Sequence, residues 1–256
     1  MLVDCFMFYN ELDILELRLS CLDKYVDRFV LVESEVSHVG APKELFFHKN
    51  RSRFTKWLDK IEHVIATADE SPKDENPWSR EKYQRECILR GLERSSCPDH
   101  SIIMVSDVDE IPDMSKVRYE QLPHLVNSVH MWMFEYSLDY LFTGEPWYGT
   151  VITNYELIKR MGPNYFRDNR WKFPPIMHAG WHLSSFGTPQ HVWNKMQNFA
   201  HAKDGHHASQ TPELFEEYIT QGLHTDGKTV LIPRPSQVPL PAPIEVLKRL
   251  NLGRFP

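Results

Sequence analysis

SIIMVSDVDEIPD, residues 101–113, decides how this chain is read. An apolar run, Ile102–Val105, gives way to Asp107, Asp109 and Glu110, and Pro112 stops it. A short apolar run closed by turn formers is the pattern of a buried strand. In extended backbone residues i and i+2 point to one side, so Asp107 and Asp109 are expected to leave the strand's C-terminal end together. Open α/β sheets bind ligands beyond that edge. Two neighbouring carboxylates need a cation, or one of them stays protonated at a cost. Magnesium and manganese accept such oxygen ligands and keep positions open for phosphate. The pair is therefore a candidate site for a metal and a diphosphate. Read alone, DVDEIP can equally be a polar turn.

Working outward, the first 110 residues alternate strands and helices. VDCFMFY reads as a buried strand, with Asn10 placed to cap the helix whose stripe is Leu12, Leu15, Leu19 and Leu22. Glu11 and Asp13 fall in its first turn, where the helix dipole favours acids. DRFVLVES is a second strand ending near Glu33, ELFFH a short edge strand, and residues 51–60 a helix. IEHVIAT is a third strand, and WSREKYQRECILRGLERS a helix closing near Gly91. This alternation implies an α/β fold, a mainly parallel central sheet flanked by helices. The second half is aromatic: VHMWMFEYSLDYLF suits strands beside a cleft, PPIMHAGWHLSSFG a strand entering a loop, and residues 188–201 and 212–221 helices. RPSQVPLPAP is proline-rich and extended. The whole is read as one domain: a nucleotide-binding half (1–110), a half that completes the site (111–205), and a C-terminal helix with a proline-rich tail (206–256).

Composition narrows the classes. With 256 residues, 41% hydrophobic and 25% charged, the chain can bury a full core. A net charge of −6 argues against a nucleic-acid partner. No stretch reaches the ~18 apolar residues of a membrane span, and MLVDCFMFYNELD lacks the features of a signal peptide, so a cytoplasmic or otherwise soluble protein is expected. Cys5, Cys21, Cys87 and Cys97 show no CxxC spacing and read as free thiols.

Four stretches, DCFMFYNELDILELRL, VDRFVLVESEVSHVGAPKELFF, DVDEIP and HAGWH, stand in an order that resembles glycosyltransferase family 17, from about residue 3 to residue 187. That family includes the bisecting N-acetylglucosaminyltransferase of N-glycans. The resemblance implies a GT-A-like nucleotide-sugar-binding fold, an inverting reaction and a divalent metal, Mn²⁺ before Mg²⁺. It also implies a UDP-sugar donor, UDP-N-acetylglucosamine, and a glycan acceptor such as β-linked mannose. Asp107 and Asp109 match the family's Asp-x-Asp element and would hold the metal and the ribose–diphosphate. His182, or else His178, would complete the metal site.

Other residues follow from place and chemistry. Glu11, Asp13 and Glu33 end the first two strands, the edge at which a nucleotide's base and ribose lie. Arg85 could offset leaving-group charge by bidentate bonding, with ion pairs to Glu81 or Glu86 as the alternative. Arg80, Tyr83 and Gln84 share its helix, and Lys43 lies in a turn resembling the family's Gly-x-Pro-Lys. Trp132, Tyr136 and Trp181 head an aromatic set, with Phe134, Tyr140, Trp147 and Tyr148, suited to packing on acceptor sugar rings. Glu110, Glu135 and Asp139 are the candidate general bases; sequence does not separate them. The His206–His207 pair reads as surface.

Two rival readings remain open. A haloacid-dehalogenase-type phosphatase also carries Asp-x-Asp after an apolar strand, although it wants Thr or Val where Glu110 stands. A non-enzymatic glycan-binding module would use the aromatics and acids without any nucleotide.

Overall fold

The computed structural model describes residues 1–122, 124–200, 202 and 210–254. The His206–His207 pair lies outside them. One ten-stranded sheet crosses the chain. Its first half is β1 (Leu2–Phe8), β2 (Arg28–Ser34), β3 (Ile61–Ala66) and β4 (Ile102–Asp107), in the order β3-β2-β1-β4 and all parallel. The second half adds β5 (Glu110–Pro112), β6 (Asn127–Glu135), β7 (Tyr140–Asn154), β8 (Pro175–Ile176), β9 (Gly180–Ser184) and β10 (Ile232–Pro233). β7 joins β4 antiparallel, and β6, β9 and β5 follow.

The strand residues explain the layering. Alternate side chains face opposite ways, so Val3, Cys5, Val30 and Val32 enter one core and Leu2, Phe6, Phe29 and Leu31 the other. On the second side lie α1 (Leu12–Leu22), through Leu15, Leu19 and Leu22, and the short α2 (Phe46–Lys49) with the 3-10 turn Arg51–Trp57. On the first lie α3 (Pro77–Glu86), α4 (Ile88–Arg94), α5 (Tyr155–Met161) and α6 (Pro163–Asp168). Each fully buried large aliphatic contributes roughly 1.5–3 kcal/mol relative to exposure, so a parallel half apolar on both faces needs helices on both. α7 (Pro189–Asn198), α8 (Pro212–Gln221) and α9 (Ile244–Arg249) complete the second half. Thr188 and Thr211 accept from the backbones of His191 and Leu214 and start α7 and α8, each with proline next.

Four local expectations change. Asn10 does not cap α1; the Glu11 carboxylate instead accepts from the Tyr9 and Asn10 amides. ELFFH is not an edge strand: the Glu33 carboxylate accepts from the amides of Phe47 and His48, which pins a helix start over the sheet. Residues 51–57 are 3-10 rather than α-helical. Gly91 lies inside α4, not at its end; a Cβ there would stand 2.3 Å from Val30 Cγ1, so glycine lets α4 approach the sheet.

Register sets up the site. Met7 pairs with Asp107, Phe8 with Glu33, Glu110 with His182, and Glu135 with Ser184. The tips of β1, β4, β6 and β9 thus gather beside the acidic turn. The proline-rich tail packs Val238 and Leu240 against Trp181, whose indole donates to the Pro239 carbonyl. The four cysteines are free thiols. Among the described residues, no helix is long and apolar enough to cross a membrane.

Candidate active site

The acidic turn rests on a buried arginine. Arg18 and Asp4 are both 0% exposed and paired, Nη2 to Oδ1 at 2.6 Å and Nε to Oδ2 at 2.8 Å. Arg18 Nη1 donates to the carbonyls of Asp107, Val108 and Glu110, at 3.1, 3.2 and 2.7 Å. A guanidinium suits this place because its five donors are fixed in one plane. It matches one carboxylate and still holds three carbonyls of a turn.

Beside it, Arg167 of α6 carries the acids themselves. Its Nη1 and Nη2 reach Glu110 Oε2 and Oε1 at 2.8 and 3.0 Å, and Nη2 reaches Asp107 Oδ2 at 2.8 Å. Trp147 Nε1 and the Asp107 amide also donate to Glu110. Glu110 is therefore fully buried with both oxygens occupied, which places it as a support for Arg167 rather than as a group free to take a proton. Burial alone would raise the Asp107 carboxyl, but Arg167, Arg85 and Arg170 outweigh it and hold the group well below the usual carboxylate range. The cation demanded by the clustered acids is thus supplied in part by the chain.

A cleft of about 340 Å³ opens at these strand tips. Asp107, Asp109, His182, Arg85, Arg170, Lys195 and Trp147 line it, with Tyr9, Glu11, His38, Lys43 and Gln84 further along. Lys195 of α7 contacts Asp109 Oδ2 at 2.9 Å and stands 4.0 Å from Glu11. Asp109 Oδ1 lies 3.7 Å from His182 Nε2. His182 stacks on Trp147, ring centres 4.3 Å apart, and burial lowers its pKa against the opposing pull of Asp109 and Glu110, which favours the neutral imidazole. Buried Asp107 Oδ1 receives no hydrogen bond among the described residues. Asp109 Oδ1 and His182 Nε2 are two donors of the kind a divalent cation accepts, but among the described residues no three His, Cys, Asp or Glu side chains are grouped to hold a metal ion. His178 is exposed and stacked on Trp132, outside the cleft.

The remaining sequence candidates separate. Arg85 lines the cleft, paired to Glu81 and 3.9 Å from Asp107. Glu33 is fully buried, bonded to α2 and to His63 at 3.1 Å, and is not among the residues lining the cleft. Asp13 pairs with Arg53 at 2.6 Å on a neighbouring hollow. Asp139 accepts from Ser137 Oγ and the Arg254 amide. Glu135 is fully buried at the end of β6, with neither oxygen in a well-formed hydrogen bond; burial pushes it up to about 8 against the opposing pull of Ser185 and Lys195. Trp181 is core and Trp132 lies away from the cleft, whereas Tyr136 lines the neighbouring hollow. Arg80 ties down the loop through the carbonyls of His38, Pro72 and Asp74, and Tyr83 bonds Glu70.

Arg18, Arg167, Arg170 and Lys195, which hold or face the acidic turn, are not singled out by the sequence. Arg18 lies within the DCFMFYNELDILELRL stretch and the other three in none of the four; the one available signal is that clustered acids require counter-charge from somewhere in the chain.

A sequence profile of sugar-transferring enzymes, Glycosyltransferase family 17, matches residues 1–227. The chain belongs to glycosyltransferase family 17 and is a glycosyltransferase, which sets aside the phosphatase and the non-enzymatic readings. No curated protein matches it. Among solved structures it is similar to HddC from Yersinia pseudotuberculosis complexed with GMP-PN, at 12% identity over 79% of this chain and 98% of that one, TM-score 0.44. It is also similar to a putative glucose-1-phosphate thymidylyltransferase from Bacillus anthracis in complex with a sucrose, at 6% identity over 71% and 88%, TM-score 0.41.

Proposed function

We propose that the cleft binds a UDP-sugar, UDP-N-acetylglucosamine, and that the enzyme transfers the sugar with inversion to a hydroxyl of a glycan such as β-linked mannose. The observation that carries this reading is a cleft lined by Asp107, Asp109, His182, Arg85, Arg170 and Lys195, in which Asp109 Oδ1 lies 3.7 Å from His182 Nε2. Asp109 and His182 would hold Mn²⁺, with Asp107 on the ribose–diphosphate side. Bound there, the ion would offset the negative charge of the diphosphate as it leaves.

The chain's own groups supply the rest. Arg85 and Arg170 present guanidinium forks, which suit diphosphate oxygens. The acceptor oxygen bonds to the anomeric carbon as the bond to diphosphate breaks. The bonding pair leaves with the diphosphate, and the hydroxyl proton passes to a carboxylate. Of the three candidate bases we favour Glu135. It lies behind Ser184 and Ser185 of the cleft wall rather than on the wall itself, 3.7 Å from His224 Nε2, with neither oxygen in a well-formed hydrogen bond. Burial pushes it up to about 8, near the pH at which a general base works well. Asp139, on the wall of the neighbouring hollow, is the second choice.

The test is a screen of UDP-sugars against a glycan panel, followed by determination of the linkage and anomeric configuration of the product. A β-linked product from an α-linked donor is expected. A product of retained configuration, or transfer from no UDP-sugar, would contradict the proposal.

A further inference from the structure

We propose that a second hollow, of about 740 Å³ and lined by Asp13, Tyr136, Asp139, Tyr140, His191 and Thr220, takes the sugar of the acceptor. The inference rests on the reading of the first cleft as the donor site. The volume falls within the roughly 300–1,000 Å³ of ligand pockets. The two hollows share Glu11, Ser185 and Lys195, so a thin partition of side chains separates them. An inverting transfer needs its acceptor on the side of the donor sugar away from the diphosphate. The diphosphate groups, Asp107, Arg85 and Arg170, line the first cleft alone.

The partition is built unusually. Tyr136 and Ser185, neither of them glycine, hold left-handed φ angles of 65° and 51°. They lie at the ends of β6 and β9, tied by the Tyr136 amide to the Ser184 carbonyl at 3.1 Å. Such conformations persist where surrounding structure imposes them, and they cluster at ligand sites. Tyr136 is only 5% exposed, yet its buried hydroxyl has no hydrogen-bond partner among the described residues. A buried phenol normally finds one. A sugar hydroxyl would satisfy it. The mixed acids, bases and tyrosine rings of the wall suit a neutral, hydroxyl-rich ring that offers an apolar face as well.

The experiment uses the full chain saturated with UDP and Mn²⁺ and probed by saturation-transfer NMR. The probes are the methyl α- and β-glycosides of mannose, glucose, galactose and N-acetylglucosamine. At least one should bind. Thr220→Trp, which fills the hollow from α8, should weaken it more than about tenfold, the ~1.4 kcal/mol of one lost contact set. Tyr136→Phe should weaken it severalfold, and both variants should keep the wild-type affinity for UDP. Binding of no glycoside, glycoside binding unchanged in both variants, or an equal loss of UDP affinity would overturn the proposal. Failure of the wild type to bind UDP would instead sink the donor-site reading, and this one with it.

Discussion

Two tiers of buried charge lie a few residues apart at the mouth of the sheet. Below the acidic turn each charged group has a partner, although Arg167 Nε stays unbonded: Asp4 pairs with Arg18, Arg18 with three carbonyls, and Glu110 with Arg167, Trp147 and a backbone amide. At the mouth the opposite holds. Asp107 Oδ1, His182 Nδ1 and both Glu135 oxygens are buried without well-formed hydrogen bonds. An unmade hydrogen bond on a buried polar group costs about 1–3 kcal/mol. The difference teaches that the lower tier is held by its own residues, whereas the upper one leaves atoms short of partners, which on the proposed function a substrate or ion would supply.

Substitutions should divide along that line. The largest effect is expected in the upper tier: Glu135→Gln should lower kcat by about 10²–10⁴-fold with little loss of thermal stability. A variant that lost stability and kept its rate would return Glu135 to the lower tier. Next, Arg18→Met strands Asp4 without a counter-charge and should destabilise by about 3–5 kcal/mol in chemical denaturation. A loss under about 1 kcal/mol would show that the lower tier is not held as described.

The same contrast has a pH signature. The Glu135 carboxyl titrates higher folded, at about 8, than an ordinary glutamate. Its neutral form favours the fold, so that stability is fully present below the unfolded value of about 4.3 and is lost as pH rises through about 8. Activity runs the other way, since the base must be ionised: the rate should rise with pH up to about 8. A wild-type stability profile over that window identical to that of Glu135→Gln would contradict both statements. Arg85→Ala should weaken UDP by about 1.5–3 kcal/mol, the worth of a charged hydrogen bond. Asn154→Ala, which removes the cap that accepts from the Leu157 amide at the start of α5, away from both cavities, should cost about 1 kcal/mol and leave kinetics alone.

Legibility in the sequence follows the same division. β1 to β4 are readable because a strand buried on both faces is a near-continuous apolar run. Asp107, Asp109 and His182 are readable because they sit in short motifs at strand tips, and register then brings them to one cleft. α2 is not: four residues carry no helical period, and a carboxylate from a distant strand fixes them. Arg18 has the sequence setting of a polar face on an amphipathic helix, whereas it faces the core on account of Asp4. Arg167 and Lys195 lie 60 and 86 residues from their partners Asp107 and Asp109, and no local pattern announces such pairings. Trp181 reads as a sugar platform in the sequence because its exposure depends on a tail that only the fold brings over it.

The most direct test of the donor cleft is calorimetric titration of UDP with and without Mn²⁺, on the wild type and on Asp109→Ala. Mn²⁺ should tighten UDP on the wild type by at least about tenfold, ~1.4 kcal/mol, and Asp109→Ala should abolish that gain. Equal UDP affinity with and without Mn²⁺ on the wild type, or a gain that survives the substitution, would contradict the assignment of the cleft.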